Sequence, residues 1–322
     1  MNTRPLSAAA LCATLTAALA TPAFAAPALA APTSTAPAAA PAAAPAAAPA
    51  AAPKPLTGVA VYLSYDTGFP VSRYEPRKGF TKLGAMPMTG QFSASPDGRK
   101  LAWITDAGYV RVGDGRRVTT AAKGAAAGFP CATPVWSPDS RRVAYVGKGN
   151  SDARPISVVG ADGRGRRRAG TTLGLCHLAW SANGRYLAGY AGTTEGVYRL
   201  DVKTGKATKV KGVALANHVQ SLSPDGSKVV VAPLSRNAAG GDGSWPGSFR
   251  PVVVDVATGK KVAIPVKGSL IGAYYLRDGR LVVRVAGRTA NTLVVLDRNG
   301  RQVQRLTEPA AARRQALLQI VG

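Results

Sequence analysis

The sequence predicts an all-β fold, a β-propeller of six four-stranded blades, with seven as the alternative count. Three observations predict it. A Ser-Pro-Asp-Gly tetrad recurs along the chain at intervals of 42, 44, 42 and 53 residues. Short runs of Val, Leu, Ile and Tyr fall between Gly-, Asp- and Asn-containing turns, and no stretch carries the 3.6-residue apolar period of an amphipathic helix. The absence of intervening helices excludes parallel α/β architectures, whose strands need helical crossovers.

Taken in chain order, the first segment is a targeting signal. Arg4 precedes an apolar stretch from Leu6 to Ala20, and Ala23-Phe24-Ala25 supplies a small-x-small site, which predicts a secretory signal peptide over 1–25. The apolar stretch is too short to span a bilayer, which takes about 20 residues, so no transmembrane helix is expected after cleavage. Leu11 stands where a small residue precedes a lipidated cysteine, so Cys12 is expected to leave with the signal. Residues 26–56 are almost entirely Ala, Pro, Ser and Thr, with Pro37, Pro41, Pro45, Pro49 and Pro53 spaced by four. Proline at that density blocks a helix and favours extended polyproline backbone, a semi-rigid linker or a neutral tether. The propeller is assigned to 57–322.

The tetrads are Ser95-Pro96-Asp97-Gly98, Ser137-Pro138-Asp139-Ser140, Ser181-Ala182-Asn183-Gly184 and Ser223-Pro224-Asp225-Gly226, with a degenerate copy at Leu276-Arg277-Asp278-Gly279. Proline fixes φ, aspartate bonds the backbone ahead of it and glycine accepts positive φ, so each is a hairpin turn. The strands after them are Leu101 to Ile104, Val143 to Val146, Tyr186 to Tyr190, Val229 to Ala232 and Leu281 to Val285. Third strands precede Asp114-Gly115, Asp162-Gly163, Thr204-Gly205, Thr258-Gly259 and Asn299-Gly300, and a fourth closes each unit. Four antiparallel strands per 40 to 45 residues describe a propeller blade.

The pattern apolar-Ser-Pro-Asp-Gly-x-x-apolar-Ala-aromatic, clearest at Ser95 to Trp103 and Val135 to Tyr145, resembles the WD-repeat-like blades of the TolB propeller domain. The resemblance covers roughly residues 58 to 322 in five copies. It implies a propeller used as a scaffold in the cell envelope, although such blades also occur in peptidase accessory domains and some lyases. The α/β domain that precedes the propeller in TolB has no counterpart, the linker standing in its place. Val59 to Leu83 supplies three strands and Ala316 to Val321 one more, so a sixth blade closed by both termini is expected.

The formal net charge of +25 comes from 41 Lys and Arg against 16 Asp and Glu. In a blade the first and third turns share one face, and here those turns carry 22 basic and ten acidic residues, a net of +12. Two readings follow. The face is a solvated rim, or it is a footprint for an anionic polymer, with Arg116, Arg117, Arg141, Arg142, Arg164, Arg166, Arg167 and Arg168 as the candidate contacts. No aromatic residues interleave with the arginines, which argues against sequence-specific nucleic-acid binding.

The opposite face carries the chemically distinctive residues. A second-turn insertion from Ser235 to Arg250 contains Asp242, Trp245 and Phe249; either it presents aromatics for binding or its Trp folds back onto the blades. Cys131, Cys176, His177 and His218 lie four to six residues ahead of successive motif serines, at the start of innermost strands near the channel mouth. A Cys131–Cys176 disulfide, free buried thiols and a Cys/His metal site compete there; no short-spaced ligand pair supports the metal, and no metal or cofactor is expected. With two histidines in the chain and no partner acid or serine in view, catalysis has little to work with. The reading is an exported, monomeric, non-catalytic binding protein of the envelope whose partners are envelope proteins or anionic polymers. The alternative is a propeller lyase or hydrolase with His177, His218, Asp242 and Trp245 as ligand-binding candidates.

Overall fold

The computed structural model describes residues 53–85, 90–238 and 243–322. The leader, most of the linker and Asp242 lie outside the described residues. Six antiparallel four-stranded sheets make up the fold, the six blades expected. Blade 1 holds β1 (Ala60–Leu63), β2 (Pro70–Glu75), β3 (Gly79–Ala85) and, innermost, the C-terminal β24 (Ala316–Ile320). Blade 2 runs β4 (Phe92–Ala94), β5 (Leu101–Ile104), β6 (Tyr109–Gly113), β7 (Val118–Lys123). Blade 3 runs β8 (Val135–Trp136), β9 (Arg142–Val146), β10 (Arg154–Gly160), β11 (Arg167–Thr172). Blade 4 runs β12 (Gly174–Trp180), β13 (Tyr186–Ala191), β14 (Val197–Asp201), β15 (Ala207–Lys209). Blade 5 runs β16 (Ala216–Leu222), β17 (Lys228–Pro233), β18 (Val252–Asp255), β19 (Lys261–Val262). Blade 6 runs β20 (Leu270–Tyr275), β21 (Leu281–Val285), β22 (Thr292–Leu296), β23 (Gln302–Thr307).

The tetrad works as a sealed turn. Ser95 Oγ accepts the Lys100 N–H at 2.9 Å and donates to Asp97 Oδ1, which in turn accepts the Arg99 N–H. The same bonds recur around Ser137, Ser181 and Ser223. The fourth position has φ of +66° to +91° where it is glycine; in blade 3 it is Ser140, held at +58°. Ser140 offsets that strain with a bond glycine cannot make, its Oγ accepting the Asp97 N–H of the neighbouring blade at 3.2 Å.

Second strands read as continuous apolar runs because each sheet packs face to face against two neighbours. In β9, Val143 to Val146 are fully buried, as are Val229 to Val231 in β17. Outer strands meet solvent, and β15 is exposed at all three positions.

Closure is made by β1 pairing with β24, Ala60 opposite Ile320 and Leu63 opposite Ala316. This covers an edge that would otherwise template aggregation. Leu56, the last residue assigned to the linker, is already part of the packing: its N–H and C=O bond the Gln304 amide and its side chain joins the core between blades 1 and 6. Beside the closure lies a buried ion pair. Arg284 donates to Glu308 at 2.8 Å, to the carbonyls of Ala312 and Gln315, and to Gly247 of the insertion, while the Tyr62 hydroxyl donates to the same carboxylate at 2.9 Å. Burial and the carboxylate together push the Tyr62 hydroxyl far above its usual range.

Candidate functional site

The six inner strands β24, β4, β8, β12, β16 and β20 line a central cavity of about 610 Å³. Its walls are largely aromatic and aliphatic, with Phe92, Trp136, Trp180, Tyr274 and Tyr275 among them, and Arg99, Arg277, Asp97, Asp139 and Asp278 stand at the tetrad turns. On the wall Tyr274 donates to Gln319 at 2.9 Å, and burial pushes its hydroxyl up to about 12, while Ser93 Oγ, Trp180 Nε1 and Trp245 Nε1 are buried without a hydrogen-bond partner among the described residues.

At the insertion side Trp245 reaches this cavity and packs against both histidines, tilted at 5.1 Å from the His177 ring and edge-on at 4.7 Å from that of His218, while Phe249 lies 4.7 Å from His218. The described segment from Gly243 to Phe249 therefore lies over this end of the channel. His177 Nε2 donates to the Gly243 carbonyl at 2.9 Å, the two Nδ1 atoms are 2.7 Å apart, and His218 Nε2 is 2.8 Å from the Gln220 amide. Both rings are buried, at 0% and 1% exposure, so neither meets solvent. Burial above all, then the neighbouring ring, holds His218 well below the usual histidine range, with Gln220 opposing.

Cys131 and Cys176 are joined by a disulfide, and the His177 N–H donates to the Cys131 carbonyl at 2.7 Å. Cys131 lies ahead of its strand, because Pro134 has no N–H to donate and β8 begins only at Val135. Gly243, at φ +76°, packs directly on Cys131; a Cβ there would fall 2.8 Å from the cysteine Cβ. His177 is itself at φ +46°, a sparsely populated conformation for a non-glycine residue. The cysteines, histidines and Trp245 thus form one cluster. Among the described residues no group of three or more His, Cys, Asp or Glu is placed to hold a metal ion. Gln220 and Gly243 complete the histidine chain and were not singled out in the sequence. Gln220 sits two residues after His218 on one strand face, which is the available signal; the Gly243 carbonyl carries none.

The predicted arginines lie on the hairpin face, where third turns bond first turns of the same blade: Ala161 N–H to Arg141, Val202 to Arg185 and Val256 to Ser227. Arg116, Arg117, Arg141, Arg142, Arg164, Arg166, Arg167 and Arg168 are all exposed. The charged face and the insertion cluster are on opposite ends of the channel.

Inner strands, sealed turns and closure by the C-terminal strand define a six-bladed β-propeller. In fold, the chain is similar to TolB from Acinetobacter baumannii (TM-score 0.53, 17% identity, 83% of this chain and 68% of that one). In sequence, 56 residues are 41% identical to the Tol-Pal system protein TolB of Francisella tularensis subsp. tularensis and 39% identical to that of subsp. mediasiatica. Those matches span 17% of this chain and 13% of each relative. No family profile matches the chain.

Proposed function

We propose that the chain is an exported, non-catalytic binding protein of the cell envelope whose propeller docks protein or anionic-polymer partners over the hairpin face. The observation that carries this reading is the asymmetry of the channel. At the hairpin end its aromatic cavity opens among charged turns, while at the other end Trp245 covers two histidines bonded within the protein. Groups that catalysis would need, a solvent-reachable base beside a nucleophile or acid, are not what the cavity wall offers. Export rests on the signal peptide expected over 1–25, and an envelope setting on the likeness to TolB propellers. Among the described residues no helix is long and apolar enough to cross a membrane.

The test is affinity capture from an envelope extract at low and at high salt. Wild-type protein is expected to retain a defined partner that a bulky charge at the cavity, Trp136→Arg or Tyr275→Arg, displaces. Capture unchanged by both substitutions would remove the channel mouth from the docking surface. Turnover of envelope glycans or peptides that is lost in His218→Gln would instead favour a lyase or hydrolase.

A further inference from the structure

The basic hairpin face is divided by residue type. Blades 2 and 3 carry nine arginines and one lysine on their first and third turns: Arg99, Arg116 and Arg117 with Lys100, then Arg141, Arg142, Arg164 and Arg166 to Arg168. The same turns of blades 4 and 5 carry five lysines (Lys203, Lys206, Lys228, Lys260, Lys261) and Arg185. Blade 6 carries four arginines there and no lysine (Arg277, Arg280, Arg298, Arg301), so arginine is densest on blades 2 and 3 without being confined to them.

Pairing does not follow this division, since among the described residues none of the five lysines of blades 4 and 5 is in an ion pair. Arg185 is bound to Asp201 at 2.8 Å, and in blade 6 Arg280 pairs with Asp278 and Arg301 with Asp297. In the arginine sector the one ion pair among the described residues is Arg142 to Asp139, at 4.0 Å. The sector's acids are turned to the backbone, as Asp201 and Asp255 are in blades 4 and 5. Asp114 Oδ1 accepts the N–H groups of Arg116 and Arg117, Asp162 Oδ1 that of Arg164, and Asp97 and Asp139 those of Arg99 and Arg141. These bonds hold the Asp114 carboxyl below its usual range. Each aspartate therefore shapes a turn; of the guanidinium groups, Arg167 reaches the Val202 carbonyl, Arg168 bonds Thr171 Oγ1 and Arg166 lies over the Tyr145 ring.

The two blades form a continuous surface. The Asp97 N–H bonds Ser140 across their first turns, and Gly163 of the third turn in blade 3 lies against the carbonyls of Thr120 and Ala121 in β7.

From this we infer that the arginine sector of blades 2 and 3 binds a phosphodiester-linked polyanion. Guanidinium is a planar fork that meets two oxygens of one phosphate at once, whereas ammonium is a point charge, so nine arginines on two adjoining blades suit oxyanion geometry. The sector's turns expose no aromatic anchor of the kind that dominates protein interfaces, which favours a flexible chain held by successive phosphate contacts. The inference rests on the binding-protein reading above and specifies one ligand class for it.

The experiment measures binding of the purified protein to fluorescently labelled poly(glycerol phosphate), to single-stranded DNA and to polyglutamate of equal charge, by anisotropy across a salt series. Binding to either phosphodiester chain is expected, with polyglutamate weaker; preference between the first two tells an envelope polymer from a nucleic acid. R164Q/R166Q/R167Q/R168Q is expected to weaken phosphodiester binding on the order of tenfold or more and to lower the salt slope by about one per contact removed. K203Q/K206Q/K260Q/K261Q, which removes the same charge from the other sector, is expected to change little. The charge-preserving R164K/R166K/R167K/R168K should be weakened as well. Equal loss in the lysine variant, full retention in the arginine-to-lysine variant, or equal affinity for polyglutamate overturns the inference. Loss of polymer binding alongside intact capture of an envelope protein rejects this inference alone and leaves the docking proposal standing. Circular dichroism and a thermal melt establish that each variant is folded.

Discussion

His177 and His218 face each other through Nδ1 atoms 2.7 Å apart. His177 Nε2 meets the Gly243 carbonyl and His218 Nε2 meets Gln220 Oε1, both acceptors, so the outer nitrogens compete for protons with the Nδ1 contact, which has room for one. Charging both rings would set two N–H groups against each other beneath Trp245.

The first prediction is a dependence of stability on pH. Because the folded protein holds His218 well below 6.5, the unfolded chain binds more protons in the interval between the two values. Stability is then fully present above about pH 6.5 and falls with acidification, by at most ~1.4 kcal/mol per pH unit for one withheld proton. Asp225, lowered to about 2 by bonds from Ser223 and Ser227 that outweigh the upward effect of burial, acts only in stronger acid. Denaturation from pH 7.5 to 5 should show the slope, and His218→Gln should flatten it. An equally steep slope in the variant would assign it elsewhere.

The insertion is seated by Gly243. Alanine at φ +76° is strained and its Cβ meets Cys131, so Gly243→Ala should cost about 1–2 kcal/mol and loosen Trp245 from the histidines. Urea titration and a shift in tryptophan emission read the two effects. Wild-type stability together with unchanged emission would mean that the loop does not depend on this contact.

The disulfide closes a separation of 45 residues between neighbouring blades. Cys131→Ser with Cys176→Ser should lower stability by about 2–4 kcal/mol, chiefly through the freedom returned to the unfolded chain. Thiol titration of the wild type should find both cysteines unreactive until reductant is added. Immediate labelling of both would exclude the bond.

At the ring closure, Arg284→Met strands the Glu308 carboxylate in a buried site and is expected to cost about 3–5 kcal/mol. Glu308→Gln with Arg284→Met should recover part of the loss. Equilibrium unfolding of the two variants gives the comparison, and no recovery in the double variant would locate the cost in the lost carbonyl contacts of Arg284 instead.

The hairpin tetrads made the blades legible because their chemistry is local. Ser, Asp and Gly bond within five residues, so turn, strand order and the six-blade count follow from spacing. The closure by Ala316 to Ile320 was readable for the same reason, as a strand left over at one end for a blade incomplete at the other. Arg284 with Glu308 was not, since a charged residue in β21 looks like any exposed one until its partner 24 residues away is known. The histidine cluster was half legible. Periodicity brought His177, His218 and the cysteines to one channel end, yet Gln220 and the Gly243 carbonyl carry no sequence signature.

By itself the sequence determined the class of fold, the face on which each turn lies, and the excess of positive charge there, because all three follow from short-range turn chemistry repeated in register. Only the tertiary structure decided that Trp245 turns inward to the histidines, that the turn aspartates serve the backbone, and which partners the guanidinium groups take. Those outcomes depend on contacts between blades, where burial and hydrogen-bond geometry choose among partners that lie equally far apart in the chain.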